Sequence, residues 1–252
     1  MKLGIIGIVT NYLKDDLWGT LGKLRDLGYK GLEAAPITKP LEAGDFEYNM
    51  ARFADMGMEV TAVGTSRQQL EGDVEGLIAE AKKFKTNTAV LYWSECAKKE
   101  TVLGDAELYN KVGKRLADEG IKLHYHNHEH EFKNMIEGKM ALDFLAANTD
   151  PRCLYFQVDV AWAWFGGVEP ADVIKKLRGR VTCLHVKDLC SRDVRDLFTA
   201  VGTGSVTIDA AIVAAKEADV VWATVEQDKL RNISGMDTAI VSALNLRERG
   251  LI

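Results

Sequence analysis

The chain has 252 residues and 47% of them are hydrophobic, enough to bury the core of one large domain. Its 32 Lys and Arg residues are outnumbered by 37 Asp and Glu residues, and this net charge of −5 argues against a basic nucleic-acid-binding surface. No apolar run reaches the roughly 20 residues that span a bilayer. The N-terminus lacks the apolar segment of a secretory signal, and the four cysteines show no Cys-x-x-Cys spacing. We therefore expect a cytoplasmic protein with reduced thiols.

Eight short apolar, β-branched or aromatic runs predict strands, and an amphipathic helical pattern follows each of them. The predicted strands begin near Lys2, Gly31, Glu59, Asn87, Lys122, Leu154, Val181 and Val221. The predicted helices cover residues 16–27, 45–56, 67–84, 105–119, 139–148, 170–178, 207–218 and 236–248. Gly28, Gly57 and Gly120 follow three of these helices, as is typical just past a helix C-terminus.

Eight β-then-α units of about 30 residues predict an α/β fold, a (β/α)8 TIM barrel that forms a single domain over residues 1–252. A doubly wound open sheet is the main alternative, but no Gly-x-Gly-x-x-Gly follows the first predicted strand. In a TIM barrel the active site lies at the C-terminal ends of the strands. The residues that end the predicted strands are therefore the first candidates for chemistry.

Four of the five histidines stand at alternate positions near the end of the fifth predicted strand: His124, His126, His128 and His130. If residues 122–128 form a strand, the first three of these side chains point to one face. Imidazoles crowded on one face favour metal binding or proton transfer. The alternative is a polar strand end or an adventitious metal-binding tract.

Charged or metal-ligating residues also end the next three predicted strands. They are Asp159 after the sixth, His185, Lys187 and Asp188 after the seventh, and Glu226 and Asp228 after the eighth. Any one carboxylate here often just caps the next helix, but a succession of them indicates a site. A shared divalent cation would offset the cost of burying these carboxylates, and the ligand set suits Mn²⁺, Mg²⁺, Co²⁺ or Zn²⁺. The alternative is a buried ion-pair network around Lys187.

Five short motifs together resemble a known family. They are His-Asn-His-x-x-Glu-Phe (126–132), Val-Asp-Val-Ala-Trp-Ala-Trp-Phe-Gly-Gly (158–167), His-Val-Lys-Asp (185–188), Gly-Thr-Gly (202–204) and Val-Glu-Gln-Asp (225–228). In this order they resemble the sugar phosphate isomerase/epimerase family of the xylose isomerase-like TIM barrel superfamily, over essentially the whole chain. That superfamily also holds inosose dehydratases, ketose 3-epimerases and endonuclease IV.

The resemblance implies one divalent metal ion, with Mn²⁺ expected first and Mg²⁺, Co²⁺ or Zn²⁺ as alternatives. The implied ligands are Glu131, Asp159, His185 and Glu226. Many family members carry a Glu within the fifth strand, where this chain has His126. His126 or His128 is therefore the alternative to Glu131 as the ligand from this strand.

The expected chemistry starts with a metal ion that chelates a carbonyl and its neighbouring hydroxyl, which makes the adjacent C–H acidic and leads to an enediolate intermediate. We predict that His126 and His128 are catalytic because an imidazole has a suitable pKa for proton transfer. Lys187 is the third predicted catalytic residue, because its charge can stabilise a developing oxyanion.

Glu33, Trp162 and Asp228 are the predicted substrate-binding residues. A salt bridge is the alternative role for Glu33, and a core or subunit contact is the alternative for Trp162. Ketose 3-epimerases resemble Asp-x-x-His where this chain has Asp159 and Trp162, so the role of that histidine does not transfer. The 202–204 turn can approach an anion through backbone N–H groups or serve as a plain βα turn.

The sequence therefore predicts a metal-dependent isomerase or epimerase acting on a sugar, a keto-sugar or a sugar phosphate. The alternative is a metal-dependent lyase or dehydratase acting on an inosose-like keto-polyol or a 3-keto-glycoside. The net charge of −5 argues against an abasic-site endonuclease, and the set of strand-end ligands argues against an inactive binding subunit. We expect a small carbohydrate as the partner, with no nucleic acid and no membrane, and the sequence allows a homo-oligomer.

Overall fold

A computed structural model describes residues 1–231 and 233–250 and contains a closed barrel of eight parallel strands. We number the barrel strands β1 to β8: Lys2–Ile5, Tyr29–Glu33, Glu59–Thr65, Thr88–Leu91, Lys122–His126, Leu154–Asp159, Val181–Val186 and Trp222–Val225. β1 pairs in parallel with both β2 and β8, and this pairing closes the sheet. The predicted (β/α)8 TIM barrel is confirmed, and the open doubly wound sheet is excluded.

Of the described helices, α1 to α11 lie between the barrel strands along the chain and α12 follows β8. They are Thr10–Asp15, Leu17–Asp26, Phe46–Asp55, Arg67–Gly72, Val74–Lys83, Lys99–Ala117, His130–Lys133, Ala141–Ala147, Val160–Phe165, Pro170–Lys176, Ile208–Glu217 and Gly235–Glu248, with a 3₁₀ turn at Lys39–Glu42. The predicted helix over 67–84 is two helices, because the Asp73 side chain accepts a hydrogen bond from the Gly76 N–H and starts a new helix. Gly28, Gly57 and Gly120 have φ of 100°, 72° and 75°, which confirms the predicted helix ends.

Two short antiparallel ribbons extend the loops that follow β5 and β7. Met135–Ile136 pairs with Lys139–Met140, and Asp188–Leu189 pairs with Phe198–Thr199. Each of these strands has two residues, which is too short for a hydrophobic period to reveal. Both ribbons lie at the end of the barrel where the strands finish.

The barrel interior contains a buried carboxylate. Glu33 of β2 is 1% exposed, and it accepts hydrogen bonds from side chains on strands across the barrel. Gln157 Nε2 of β6 donates at 2.9 Å, His185 Nε2 of β7 at 2.6 Å and Thr224 Oγ1 of β8 at 2.8 Å. The polar interior therefore links β2 with β6, β7 and β8 directly beneath the strand ends.

Within the described part of the chain, no helix combines the length and the apolar character that a bilayer crossing requires.

Candidate active site

Three buried side chains from adjacent strand ends form a candidate metal centre. His126 of β5, Asp159 of β6 and His185 of β7 each offer a ligand atom, and these atoms all lie within 4.8 Å of one another. The C-terminal ends of parallel strands meet at one rim of a barrel, which brings these three residues together. The group contains two of the four predicted ligands, Asp159 and His185, together with the alternative for the β5 position, His126.

The tautomer of His126 follows from its contacts below the rim. Gln157 donates its Nε2 hydrogen to Glu33, so its Oε1 faces Nδ1 of His126 at 2.9 Å and accepts the Nδ1 hydrogen. Nε2 of His126 then carries a lone pair and lies 3.7 Å from Oδ2 of Asp159. Burial lowers the pKa of His126 well below its usual value, so the ring is neutral. A neutral imidazole with a free Nε2 can ligate a cation or accept a proton.

His185 lies between two carboxylates. Its Nε2 is 2.6 Å from Oε1 of Glu33, and its Nδ1 is 2.8 Å from Oε2 of Glu226. Burial opposes the charge on this ring, but the carboxylates of Glu33 and Glu226 outweigh it and raise the pKa of His185 to about 10. Both ring nitrogens therefore donate hydrogen bonds in this structure.

The two carboxylate oxygens of Asp159 have different roles, one in capping a helix and one in the candidate metal centre. Oδ1 accepts the backbone N–H of Trp162 at 2.9 Å and caps α9. Oδ2 is buried and has no hydrogen-bond partner within the described residues, although Nζ of Lys187 lies 3.1 Å away. Burial, opposed by the charge of Lys187, raises the pKa of Asp159 to about 6. An orphaned buried carboxylate oxygen beside imidazole nitrogens fits a divalent cation.

Lys187 forms the ion-pair network that we considered, from the sequence, as the alternative to a metal site. Its Nζ lies 2.6 Å from Oδ1 of Asp228 and 2.7 Å from Oε2 of Glu226, in addition to the contact with Asp159. Burial opposes the charge on Lys187, but the three carboxylates outweigh it and raise the pKa of the ammonium group. Glu226 lies outside the three-residue group but touches both His185 and Lys187, so the network and the candidate metal centre share carboxylates.

The structure does not bring Glu131 into the candidate metal centre. Glu131 lies in α7, where it accepts the Tyr125 hydroxyl hydrogen at 2.7 Å and the His128 backbone N–H at 2.8 Å. Tyr125 alternates with His126 along β5 and therefore faces away from the site. Both oxygens of Glu131 thus hold the chain together behind β5, and His126 occupies the β5 position in the group.

The sequence predicts three histidines on one face of the fifth strand, but only His124 and His126 lie within β5 in the structure. β5 ends at His126, because the Asn127 side chain bonds the backbone N–H and C=O of Asp159 at 3.0 and 3.3 Å in place of the strand ladder. His128 therefore lies in the loop, although its ring still contacts that of His126 with centroids 5.0 Å apart. His124 lies a full strand step below, where its Nε2 is 2.6 Å from Thr182 Oγ1. His124 takes no part in the site.

A cavity of about 600 Å³ opens above the candidate metal centre at the C-terminal rim of the barrel. The predicted site residues that line it are His126, His128, Trp162, Lys187, Glu226 and Asp228. Burial lowers the pKa of His128 to about 4, so this half-buried ring is neutral at pH 7. Glu33, predicted to bind substrate, does not line this cavity and lies beneath the metal centre as the acceptor for His185.

Trp162 combines the two roles that the sequence left open. Its ring lines the cavity, yet it is 2% exposed and packs edge-on against Phe165 and Phe198 at 5.9 and 5.4 Å between centroids. The guanidinium of Arg195 covers the ring at 4.6 Å. Trp162 is therefore a fixed wall of the cavity as well as part of the core.

The 202–204 turn does surround an anion, but that anion is the protein's own Asp188. The carboxylate of Asp188 accepts the backbone N–H groups of Gly202 and Gly204 at 2.9 and 2.8 Å, and that of Val206 at 3.1 Å. Asp188 therefore fixes the loop after β7 and is not available to a ligand.

Two residues near the site were missed or set aside by the sequence reasoning. Gln157 sets the tautomer of His126, and its only signal was a polar residue within an otherwise apolar strand. Tyr92, which follows β4, donates its hydroxyl hydrogen to Glu33 at 2.8 Å and lines the cavity.

No protein-family model matches the chain. The chain is similar to the inosose dehydratase of Clostridium beijerinckii, with 26% identity over 154 residues. That region covers 60% of this chain and 47% of the relative, so the match spans about half of the relative's length.

Solved structures share the whole fold. A sugar phosphate isomerase/epimerase from Parabacteroides distasonis matches with a TM-score of 0.80 and 20% identity, covering 98% of this chain and 93% of that one. The IOLI protein with a bound zinc atom matches with a TM-score of 0.76 and 15% identity, covering 100% and 97% of the two chains. These neighbours confirm the resemblance found in the motifs at the level of the fold, and the inosose dehydratase and the sugar phosphate isomerase/epimerase are enzymes.

Proposed function

We propose that this chain is a divalent-metal-dependent isomerase or epimerase that moves a proton next to the carbonyl of a keto-sugar. The observation that carries the proposal is the buried group of His126, Asp159 and His185, of which His126 lines an open cavity. His128 can accept a proton and Lys187 is a fixed cation, and both side chains line the same cavity. Metal-assisted proton transfer uses a metal ion and a proton acceptor in the same cavity, and a fixed cation adds stabilisation of negative charge.

The metal would be held by His126, Asp159 and Glu226, and by His185 once the metal has displaced one of its two ring protons. The fit rests on the orphaned Oδ2 of Asp159 and on the free Nε2 of His126. When bound, a divalent ion polarises a carbonyl oxygen and so acidifies the adjacent C–H. The zinc atom of the IOLI structure supports a metal in this fold, and Mn²⁺ remains our first expectation for this chain.

In this account His128 moves the substrate proton. Its ring is neutral because burial lowers its pKa to about 4, and it contacts the rings of His126 and Trp162 at 5.0 and 5.8 Å. A neutral imidazole at the cavity wall accepts a proton from a bound substrate. With His126 committed to the metal, His128 is the better placed of the two histidines predicted to be catalytic.

Lys187 and Asp228 would act on the substrate oxygens. The Lys187 ammonium is held by three carboxylates, which keep it charged, so it stabilises negative charge that develops on an oxygen. Asp228 is about one quarter exposed at the cavity edge, where its free oxygen can accept a hydrogen bond from a sugar hydroxyl.

A metal-dependent dehydratase acting on a keto-polyol is the second candidate. The observation that favours it is the similarity to inosose dehydratase. Both reactions start by removing a proton next to a carbonyl and differ in whether a β-hydroxyl then leaves.

The test is product analysis with Mn²⁺-loaded protein, by NMR, on a panel of keto-sugars and an inosose. An isomer or epimer of the same mass supports the first candidate, and a product lighter by one water supports the second. Turnover that persists unchanged after Asp159→Ala would contradict both, because the proposed reactions share this centre.

A further inference from the structure

One oxygen of Glu33 accepts hydrogen bonds from three side chains. Oε1 lies 2.8 Å from the Tyr92 hydroxyl, 2.9 Å from Nε2 of Gln157 and 2.6 Å from Nε2 of His185. Two of these donors lead to the candidate metal centre, because His185 belongs to it and Gln157 bonds His126. A single buried atom therefore connects both histidines of the centre.

Glu33 lies in the barrel interior and not in the wall of the substrate cavity. It is 1% exposed, and it lines a separate cavity of about 130 Å³ that Gln157 also lines. Among the described residues that line the larger cavity, neither Glu33 nor Gln157 is present. Glu33 therefore acts on the site through the two histidines and not by contact with a substrate.

The hydrogen bonds in the interior leave one ring nitrogen of each histidine for a cation. His126 gives its Nδ1 hydrogen to the glutamine that Glu33 holds, which leaves Nε2 beside Oδ2 of Asp159. His185 keeps its Nε2 hydrogen for Glu33, so Nδ1 is the nitrogen that can lose a proton to a metal. That Nδ1 lies 2.8 Å from Oε2 of Glu226. The available nitrogen of each ring thus faces a carboxylate that we propose as a metal ligand.

A hydrogen-bond acceptor behind a metal-binding imidazole fixes its tautomer and its orientation and makes the ring more basic. Glu33 is such an acceptor for His185, at 2.6 Å. For His126 the acceptor is Oε1 of Gln157, and this oxygen faces the ring because Glu33 accepts the amide hydrogen. Removal of the carboxylate would therefore release the His185 ring and also free the Gln157 amide to rotate.

We propose that Glu33 is a positioning residue of the metal centre, so that His126 binds the cation through Nε2 and His185 binds it through Nδ1. This inference rests on the proposed function for the presence of the metal ion. Glu33 acts directly on one ligand and, through Gln157, on the other. Its role is then distinct from the substrate contact predicted from the sequence.

Competition for Zn²⁺ between the protein and a chelating dye tests the role of Glu33 without turnover. Glu33→Met removes the shared acceptor and should weaken Zn²⁺ binding about 10- to 100-fold. Glu33→Gln should recover most of that loss, because an amide oxygen can face the same three donors. Thr224→Val is the matched control and should leave Zn²⁺ binding nearly unchanged. Thr224 is equally buried, but its hydroxyl bonds the other oxygen of Glu33, at 2.8 Å.

Nitrogen NMR of labelled histidine rings shows which ring nitrogen carries a hydrogen. In chelator, the wild type should show a hydrogen on Nδ1 alone for His126 and on both nitrogens for His185. With Zn²⁺, a diamagnetic ion, His185 should keep only its Nε2 hydrogen. Gln157→Met should move the His126 hydrogen to Nε2, where Oδ2 of Asp159 can accept it, and leave His185 unchanged.

Two results would overturn the proposal directly. They are unchanged Zn²⁺ affinity in folded Glu33→Met and a Zn²⁺-loaded His185 that carries its hydrogen on Nδ1. If Glu33→Met does not fold, Gln157→Met decides, because a His126 ring that keeps its Nδ1 hydrogen there would also contradict the proposal. Intact Zn²⁺ binding without conversion of any keto-sugar would contradict the proposed function alone.

Discussion

Oδ2 of Asp159 lies 3.7 Å from Nε2 of His126, and within the described residues no hydrogen bond joins the two atoms. Each atom offers a lone pair to the other, which is unfavourable unless a proton or a cation lies between them. Two ligand atoms that each bind one ion at about 2 Å are separated by roughly 3 to 4 Å. This relationship is the strongest physical argument for a metal centre in the molecule.

Removing either of two ligands should abolish tight metal binding. Asp159→Ala and His185→Ala each delete a ligand, so we expect about one divalent ion per chain in the wild type and loss of it in both variants. Metal content after gel filtration measures this. Asp209→Ala, which removes a surface carboxylate that is 74% exposed, should keep the ion. Stoichiometric metal in both site variants would rule out the proposed centre.

The ligand from β5 can be assigned by two conservative changes. His126→Gln should lose the ion because it removes Nε2 from the group, whereas Glu131→Gln should retain it because that carboxylate bonds Tyr125 and His128. Calorimetric titration with Mn²⁺ compares the two variants. The reverse pattern would restore Glu131 as the ligand, as the sequence resemblance implied.

Lys187→Met should lower the stability of the protein, because it removes the positive charge that three carboxylates of the site contact. Without the ammonium group, Asp159, Glu226 and Asp228 lose the cation that all three contact, and we expect the free energy of unfolding to fall by about 3 to 5 kcal/mol in chelator. Adding Mn²⁺ should recover part of that loss, because the ion supplies the missing positive charge. Thermal unfolding with and without Mn²⁺ measures both terms. An equal loss in the two conditions would mean that no ion binds near Lys187.

His124 should make stability depend on pH. Burial lowers its pKa from 6.5 to about 4, so between these values the unfolded chain takes up a proton that the folded chain does not. The free energy of unfolding therefore falls as the pH drops from 7 towards 4, by about 3 kcal/mol from this residue. Urea unfolding at several pH values should give a shallower pH dependence for His124→Gln than for the wild type. Identical slopes would show that folding does not lower the pKa of this ring.

Gly204 should not tolerate a side chain. A Cβ atom there would lie 2.3 Å from Oδ1 of Asp188, so Gly204→Ala must displace the carboxylate that holds the loop after β7. We expect a loss of about 1 to 3 kcal/mol in the free energy of unfolding, measured with denaturant. Gly22→Ala is the control, because a Cβ in α2 meets nothing within 4 Å and alanine favours a helix. Equal effects of the two changes would contradict the role of Asp188.

Strand and helix positions followed from periodicity, because each β-then-α unit buries one face. The same logic placed Asp159 and His185 at the barrel rim, since a charged residue after an apolar run marks where a strand ends. It failed beyond His126, because the side chain of Asn127 replaces the strand ladder through a contact with Asp159 that is distant in sequence. The alternating pattern therefore predicted a strand that reaches residue 128, although β5 ends at His126.

Contacts across the barrel could not be predicted from the sequence, because they also join residues that are distant in sequence. Glu33 and Gln157 meet at 2.9 Å although 124 positions separate them, and only the closed barrel brings β2 and β6 face to face. The hydrogen bonds from Glu33 to Gln157 and from Gln157 to His126 set the tautomer of His126. The protonation of this ring therefore depends on the barrel topology. The short helices α7 and α9 were not predicted from the sequence, because four to six residues are too few to display a helical period.

Exchange of the α-proton of a keto-sugar in D₂O, followed by proton NMR, is the measurement that bears on metal-dependent proton transfer in this cavity. We expect exchange with Mn²⁺-loaded protein, no exchange in chelator, and a sharp loss of exchange in both Asp159→Ala and His128→Ala. The His128→Ala protein should still hold its ion, which separates proton transfer from metal binding. Conversion of the sugar without any incorporation of solvent deuterium, or exchange at an unchanged rate in chelator, would contradict metal-dependent proton transfer at this centre.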